Sequence, residues 1–212
     1  MMRRSFAAGC LVVSTTTLVA CAGSSTDQGA NTVVSATASP ATSAGATASV
    51  KVNVPPAPVQ TGAQQVRFDP CVRVGDDVVT RAGFDPATRE RSTAEIVSSL
   101  FTEIGCQFWR EALVDGEKYP TGLATVTSSD LTLDDIRKNP GNSIFDSDPI
   151  GGREAVLYQT PQVDGACSAS IKSSDGTFTV GLHVHPGPVA VPPACDQIRQ
   201  IAGTFSESLG TN

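Results

Sequence analysis

Apolar and polar positions alternate most clearly between Cys167 and His185. Ala169 and Ile171, then Val180, Leu182 and Val184, recur at every second residue, and Asp175-Gly176 interrupts them. A period of two marks strands half buried in a sheet, and Asp-Gly is a pair that two-residue hairpin turns favour. With those two residues as the loop, Ile171 faces Val180, Ala169 faces Leu182 and Cys167 faces Val184. Lys172 with Thr179, Ser170 with Gly181 and Ser168 with His183 then fall on the opposite, outer face.

A second pattern has the helical period. After Pro192-Pro193, the residues Cys195, Ile198, Ala202, Phe205 and Leu209 are spaced three or four apart, one apolar stripe stopped by Gly210. Asp69-Pro70-Cys71 opens an earlier helical turn, with Asp as its cap and Pro where no amide donor is needed. Gly75 interrupts it, so a separate short helix is expected from Asp76 to Ala82, ended by Gly83. Phe84 to Ala94 reads as loop. Thr132 and Asp135 make a capping box for a further short helix, which Asn139-Pro140 ends. Cys106 to Trp109, Gly122 to Thr127 and Glu154 to Gln159 read as strands, the last apolar on both faces and therefore central. The fold class that follows is α+β: an antiparallel sheet packed on its apolar face by N- and C-terminal helices.

The first 66 residues follow neither period. Arg3-Arg4 precedes an apolar run from Phe6 to Ala20, short of the ~20 residues that a membrane span needs. A basic start, a short apolar centre and small residues before a cut make residues 1–20 a secretory signal peptide. From Ala22 to Gln65 the chain is mostly Ala, Ser, Thr, Gly, Val and Pro, with Asp27 and Lys51 its only charges. Such a segment buries too little apolar surface to offset its ordering entropy. Residues 21–66 are therefore expected to be a tether, with an end-to-end distance on the order of 35 to 40 Å. Residues 67–212 then form a single domain.

Cysteine usage sharpens this division. Of six cysteines, Cys10 leaves with the signal and Cys21 stands at the cut, so Cys71, Cys106, Cys167 and Cys195 remain. An even number in an exported domain implies two disulfides. A zinc site is the alternative for four cysteines, but no Cys-x-x-Cys pair occurs. Of the three connectivities, Cys71–Cys106 with Cys167–Cys195 is expected, because each bond then joins the start of a helix to a nearby strand. The formal charge of −6 disfavours nucleic acid as a partner, and electrostatic adhesion to anionic lipid as well.

Local motifs of catalysis are missing: there is no Gly-x-Ser-x-Gly, no Ser-x-x-Lys and no phosphate-binding glycine loop followed by Lys. His183 and His185 are the only histidines, and their spacing on a strand projects them on one face. That face is the outer one in the register above, which reads them as polar surface positions rather than metal ligands. Asp76-Asp77 and Asp134-Asp135 sit at helix starts, where carboxylates favour the helix dipole. No catalytic residue, metal or cofactor is expected, and the chain is read as not an enzyme. The alternative is an envelope enzyme whose site no local motif reveals.

Leu18-Val19-Ala20-Cys21 resembles the lipobox of bacterial lipoproteins, where the cysteine thiol takes a diacylglycerol and becomes the new N-terminus. Further on, the order Asp69-Pro70-Cys71, Gly83-Phe84, Gly105-Cys106, Gly151-Gly152-Arg153-Glu154-Ala155, Cys167 and Cys195-Asp196 is similar to one group of actinobacterial envelope lipoproteins. They share a four-cysteine domain of unknown function, which covers roughly Phe68 to Gly210 here. That family commonly places Trp two residues after the second of these cysteines, a position that Phe108 holds here beside Trp109. The resemblance implies lipidation of Cys21, with acyl chains such as palmitate, and a place on the outer face of the bacterial cell membrane, with the domain extending into the envelope. It supplies no catalytic residues. The expected function is a non-catalytic binding or accessory module, anchored to the membrane through lipid and meeting a lipid, a cell-wall component or an envelope protein.

Overall fold

A computed structural model of the chain describes residues 48–211 other than Ala63. The expected signal peptide, Cys21 and the first part of the expected tether lie outside the described residues.

The elements in order are α1 (Pro70–Arg73), α2 (Asp76–Arg81), β1 (Glu90–Arg91), β2 (Ile96–Val97), β3 (Thr102–Val114), β4 (Glu117–Ser129), α3 (Leu133–Lys138), β5 (Ser143–Asp146), β6 (Ala155–Gln159), β7 (Ala166–Lys172), β8 (Thr177–Val184) and α4 (Ala194–Ser206). The strands form one antiparallel sheet in the order β1-β3-β4-β8-β7-β6-β5, with β2 also paired to β3. This is the expected α+β class, with an antiparallel sheet covered by the N- and C-terminal helices and two disulfides, Cys71–Cys106 and Cys167–Cys195.

Period-two alternation builds the main core. Cys106 and Phe108 of β3, Ala124 and Val126 of β4, Ala169 and Ile171 of β7, and Val180 and Leu182 of β8 all turn to one face. There they meet Val78 and Val79 of α2 and Ile198, Ala202 and Phe205 of α4. The ring that enters this core is Phe108, which stacks on Phe205 at 5.9 Å between centroids and is fully buried. Trp109, one residue on, faces the other way.

The expected strand at 154–159 is β6, and it is not central: it lies second from the β5 edge. It is apolar on both faces because α3 covers its outer side, where Val156 and Tyr158 pack with Leu133. The α3 capping box forms as predicted, Thr132 Oγ1 accepting from the Asp135 amide while Asp135 accepts from the Thr132 amide. Phe84 to Ala94, expected as loop, contributes a single 3-10 turn at Pro86–Thr88 and the strand β1.

Two Asp-Gly pairs behave differently. Asp115-Gly116 takes positive φ at both residues, 51° and 86°, and closes a two-residue turn that lets β3 and β4 run 13 residues each, much longer than the strands predicted there. At Asp175-Gly176 the expected register needs correction. Ile171 pairs with Phe178, Ala169 with Val180 and Cys167 with Leu182, and the loop residues are Ser174 and Asp175. The shift is two residues, an even number, so every side chain keeps its predicted face. Tertiary contacts impose it: Asp175 Oδ2 accepts from the amides of Arg67 and Phe68, at 2.7 Å each. Gly176 meanwhile lies so close to the Ser129 and Leu131 carbonyls that a Cβ would come within 2.6 Å of both oxygens.

Residues 48–66, expected as the far end of the tether, lie against the domain. The Asp76 amide donates to the Ser49 carbonyl, the Lys51 amide donates to Asp76 Oδ2, Arg91 Nε donates to the Pro55 carbonyl, and Val66 is buried. Backbone polar groups anchored at these points keep a Pro- and Val-containing segment on the surface without any regular strand.

Candidate functional site

The site is built where three elements end together. β7 begins at Ala166-Cys167, β8 ends at His183-Val184, and the loop Pro186 to Pro193 crosses from there to the start of α4. Pro193 ends the loop at the helix cap position, in an extended conformation that turns the chain into α4. The Cys167–Cys195 disulfide ties the first turn of α4 to β7. Between loop, strand ends and helix lies a cavity of about 720 Å³.

Its wall is mainly aliphatic, with Val184, Pro186, Val189, Val191, Pro193 and Ala194 among the lining residues, and the disulfide cysteines also line it. Polar side chains in the wall are Gln159, Asp164, His183 and His185. A volume in the ~300–1,000 Å³ range with apolar walls and a few polar groups is the usual form of a small-molecule site.

The two histidines come together as their spacing predicts. His183 pairs with Leu123 of β4 and Ala166 of β7, and Leu123 pairs in turn with Trp109, so His183 and Trp109 share one row on the outer face. The His183 and His185 rings are 4.6 Å apart between centroids, and His185 lies 5.3 Å from the Trp109 ring. They are half-buried rather than plain surface positions. Burial, then the charge of His183, lowers the pKa of His185 from its ordinary value, so its imidazole is neutral at neutral pH. His185 Nε2 is buried and has no hydrogen-bond partner.

Chemically, the arrangement offers an apolar wall with two imidazoles, one carboxylate and one amide side chain. No Ser or Thr lines the cavity, and its two cysteines are bonded to each other. Among the described residues, no three His, Cys, Asp or Glu side chains are grouped to hold a metal ion. Cys71 and Cys106 lie fully buried in the core and do not line this cavity. Sequence reasoning found the histidine pair and the disulfide but missed the cavity and the part played by Trp109. The available signal was the Pro- and Gly-rich Pro186-Gly187-Pro188 and Pro192-Pro193, which rule out a strand or helix between β8 and α4.

Fold and cavity thus define a disulfide-bonded α+β domain with an apolar, ligand-sized cleft beside its C-terminal helix. The chain belongs to the family described as "Protein of unknown function (DUF3558)", which matches residues 16–207. No curated protein and no solved structure matches it. Among the described residues, no helix is long and apolar enough to cross a membrane.

Proposed function

We propose that this chain is a lipid-anchored protein of the bacterial cell envelope, held at the outer face of the membrane by acylated Cys21, and that its domain is a non-catalytic binding module. The observation that carries the binding role is the aliphatic cavity between the β7 and β8 ends and α4. Support for export comes from the basic, then apolar N-terminal segment ending on Leu18-Val19-Ala20-Cys21, together with four cysteines in two disulfides. Two acyl chains give stable attachment where one gives only marginal binding. An enzyme is the weaker reading, since the cavity wall offers imidazoles but no hydroxyl or free thiol for them to activate.

The test is extraction and mass spectrometry of the protein purified from envelopes. A small apolar ligand should accompany the native chain and be lost from Val189→Asp, with the thermal transition of the variant retained. Absence of any ligand from the native chain, or its retention by the variant, would count against the cavity as the binding site.

A further inference from the structure

The net charge of −6 disfavours an anionic surface as a partner when taken as a sum, but the charge is unevenly spread. Two adjoining hollows, of about 700 and 770 Å³, meet at Phe68 and Ser174. Arg67 and Arg73 line the first, Arg153 and Lys172 the second. Among the described residues none of these four cations forms an ion pair, whereas Arg81, Arg89, Arg91, Arg137 and Arg199 all do. The carboxylates in the same walls are already engaged: Asp175 accepts from the Arg67 and Phe68 amides, and Glu154 pairs with Arg137. Arg73 lies 5.8 Å over the Phe68 ring and Arg153 donates to the Gly210 carbonyl, contacts that neutralise neither charge. Asp27 is the only acidic residue before residue 48, so even with a terminal carboxylate the outlying chain holds too little negative charge to cover the patch.

Its place in the fold points to the partner. The patch lies at the end of the sheet where Lys172 pairs with Thr177, and the aliphatic cavity lies at the other end of the same two strands, β7 and β8. The chain arriving from its N-terminal side meets the domain close by, where the Asp76 amide, three residues past Arg73, donates to the Ser49 carbonyl. We propose that this patch rests on an anionic phospholipid surface, with headgroup phosphates against Arg67, Arg73, Arg153 and Lys172, and that the cavity is thereby held off the membrane. This rests on the envelope location proposed above. At physiological ionic strength charges are screened beyond about 8 Å, so the local cations outweigh the acidic remainder of the domain. A weak contact suffices, because a tethered domain meets the membrane at a high effective concentration. The same weakness makes the contact reversible on dilution, so acylation of Cys21 remains the cause of stable attachment.

The test uses the full chain carrying Cys21→Ala, which has no acyl chains, so its failure leaves lipid attachment itself standing. Co-sedimentation is measured with vesicles of phosphatidylglycerol and phosphatidylcholine in equal parts, and with vesicles of phosphatidylcholine alone. Binding is expected to the anionic vesicles only, and it should fall steeply between about 50 and 500 mM salt. Each basic side chain at an anionic surface is worth about fivefold in affinity, so Arg67→Glu combined with Lys172→Glu should weaken binding by about 25-fold or more. Neither side chain takes part in an ion pair, and the thermal transition of the double variant should match the native one. Lys118→Glu, near the opposite end of β4 from the Ser129–Thr177 pairing, should bind as the native chain does. No binding to anionic vesicles, equal binding to both kinds, or an equal effect of Lys118→Glu and the double variant overturns the proposal. Binding to soluble polyphosphate without binding to vesicles also overturns it, and assigns the patch to a soluble anionic polymer.

Discussion

Arg89 and Asp76 form an ion pair, Nη2 to Oδ1 at 2.7 Å, in which the arginine side chain is wholly buried and the aspartate nearly so. The same guanidinium donates to the carbonyls of Cys71 and Val74 and lies 4.9 Å over the Phe108 ring. It therefore satisfies the end of α1, fixes the start of α2 and covers the core in one place. Removing one partner of a buried pair costs about 3–5 kcal/mol, because the other charge is left uncompensated. Arg89→Met should lower the unfolding free energy obtained from urea titration by an amount in that range. Arg89→Lys should recover only part of it, since an ammonium cannot reach several acceptors with a fixed fork.

Asp175 holds the incoming chain. With Asp175→Ala, two amides lose their acceptor, and the expected loss is about 1–2 kcal/mol. Hydrogen exchange at Arg67 and Phe68 should accelerate more than exchange within β3, while Asp175→Asn, which keeps an acceptor oxygen, should stay close to the native chain. Uniform acceleration across the domain would argue against a local clamp.

Glu103 gives a pH dependence with a definite sign. Burial raises its pKa, and the hydrogen bond from Thr127 Oγ1 at 2.6 Å offsets this only in part. Since the folded-state pKa lies above the unfolded one, the contribution of Glu103 to stability is fully present below the ordinary glutamate range. It is lost as pH rises through the raised value. Glu103→Gln should therefore be more stable than the native chain at neutral pH, with the difference vanishing in acid. Paired urea titrations at about pH 3.5 and pH 7 check this.

Each disulfide closes a loop, with sequence separations of 35 and 28 residues. On the chain-entropy model each contributes about 3.5–4 kcal/mol. Replacing Cys71 and Cys106 by alanine should lower stability without altering ligand affinity at the cavity. Replacing Cys167 and Cys195 should do both, because that bond lies in the cavity wall.

Anchoring is read separately from binding. Cys21→Ala should move the protein from the membrane fraction to the soluble fraction, since no described helix spans a membrane. Retention at the native level would sink lipid attachment as the cause of location.

Much of this fold is local in origin, and so was legible. The helix starts at Asp69-Pro70 and Thr132, the stripe of Ile198, Ala202 and Phe205, and the inward face of each half-buried strand all follow from residue chemistry and period. The candidate site was less legible. His183 and His185 share a face because of a spacing of two, but their neighbour Trp109 reaches them across β4, from a strand some 75 residues earlier in the sequence, which no local pattern records. The cavity wall is an aperiodic loop whose position depends on where α4 docks and on the disulfide that ties it to β7.

The sequence by itself determined which side of each strand would be buried, because side chains alternate with a period of two and a register shift of two residues leaves that alternation unchanged. It also favoured, among three connectivities, the cysteine pairing that joins helix starts to strands, which the structure shows. Only the tertiary structure decided the register. Asp115-Gly116 and Asp175-Gly176 carry the same local preference, yet the first forms the turn alone while the second is held by the Arg67 and Phe68 amides and by the carbonyls of Ser129 and Leu131. Those partners lie about 45 and 107 residues away along the chain, and contacts at such distances exist only once the sheet has assembled.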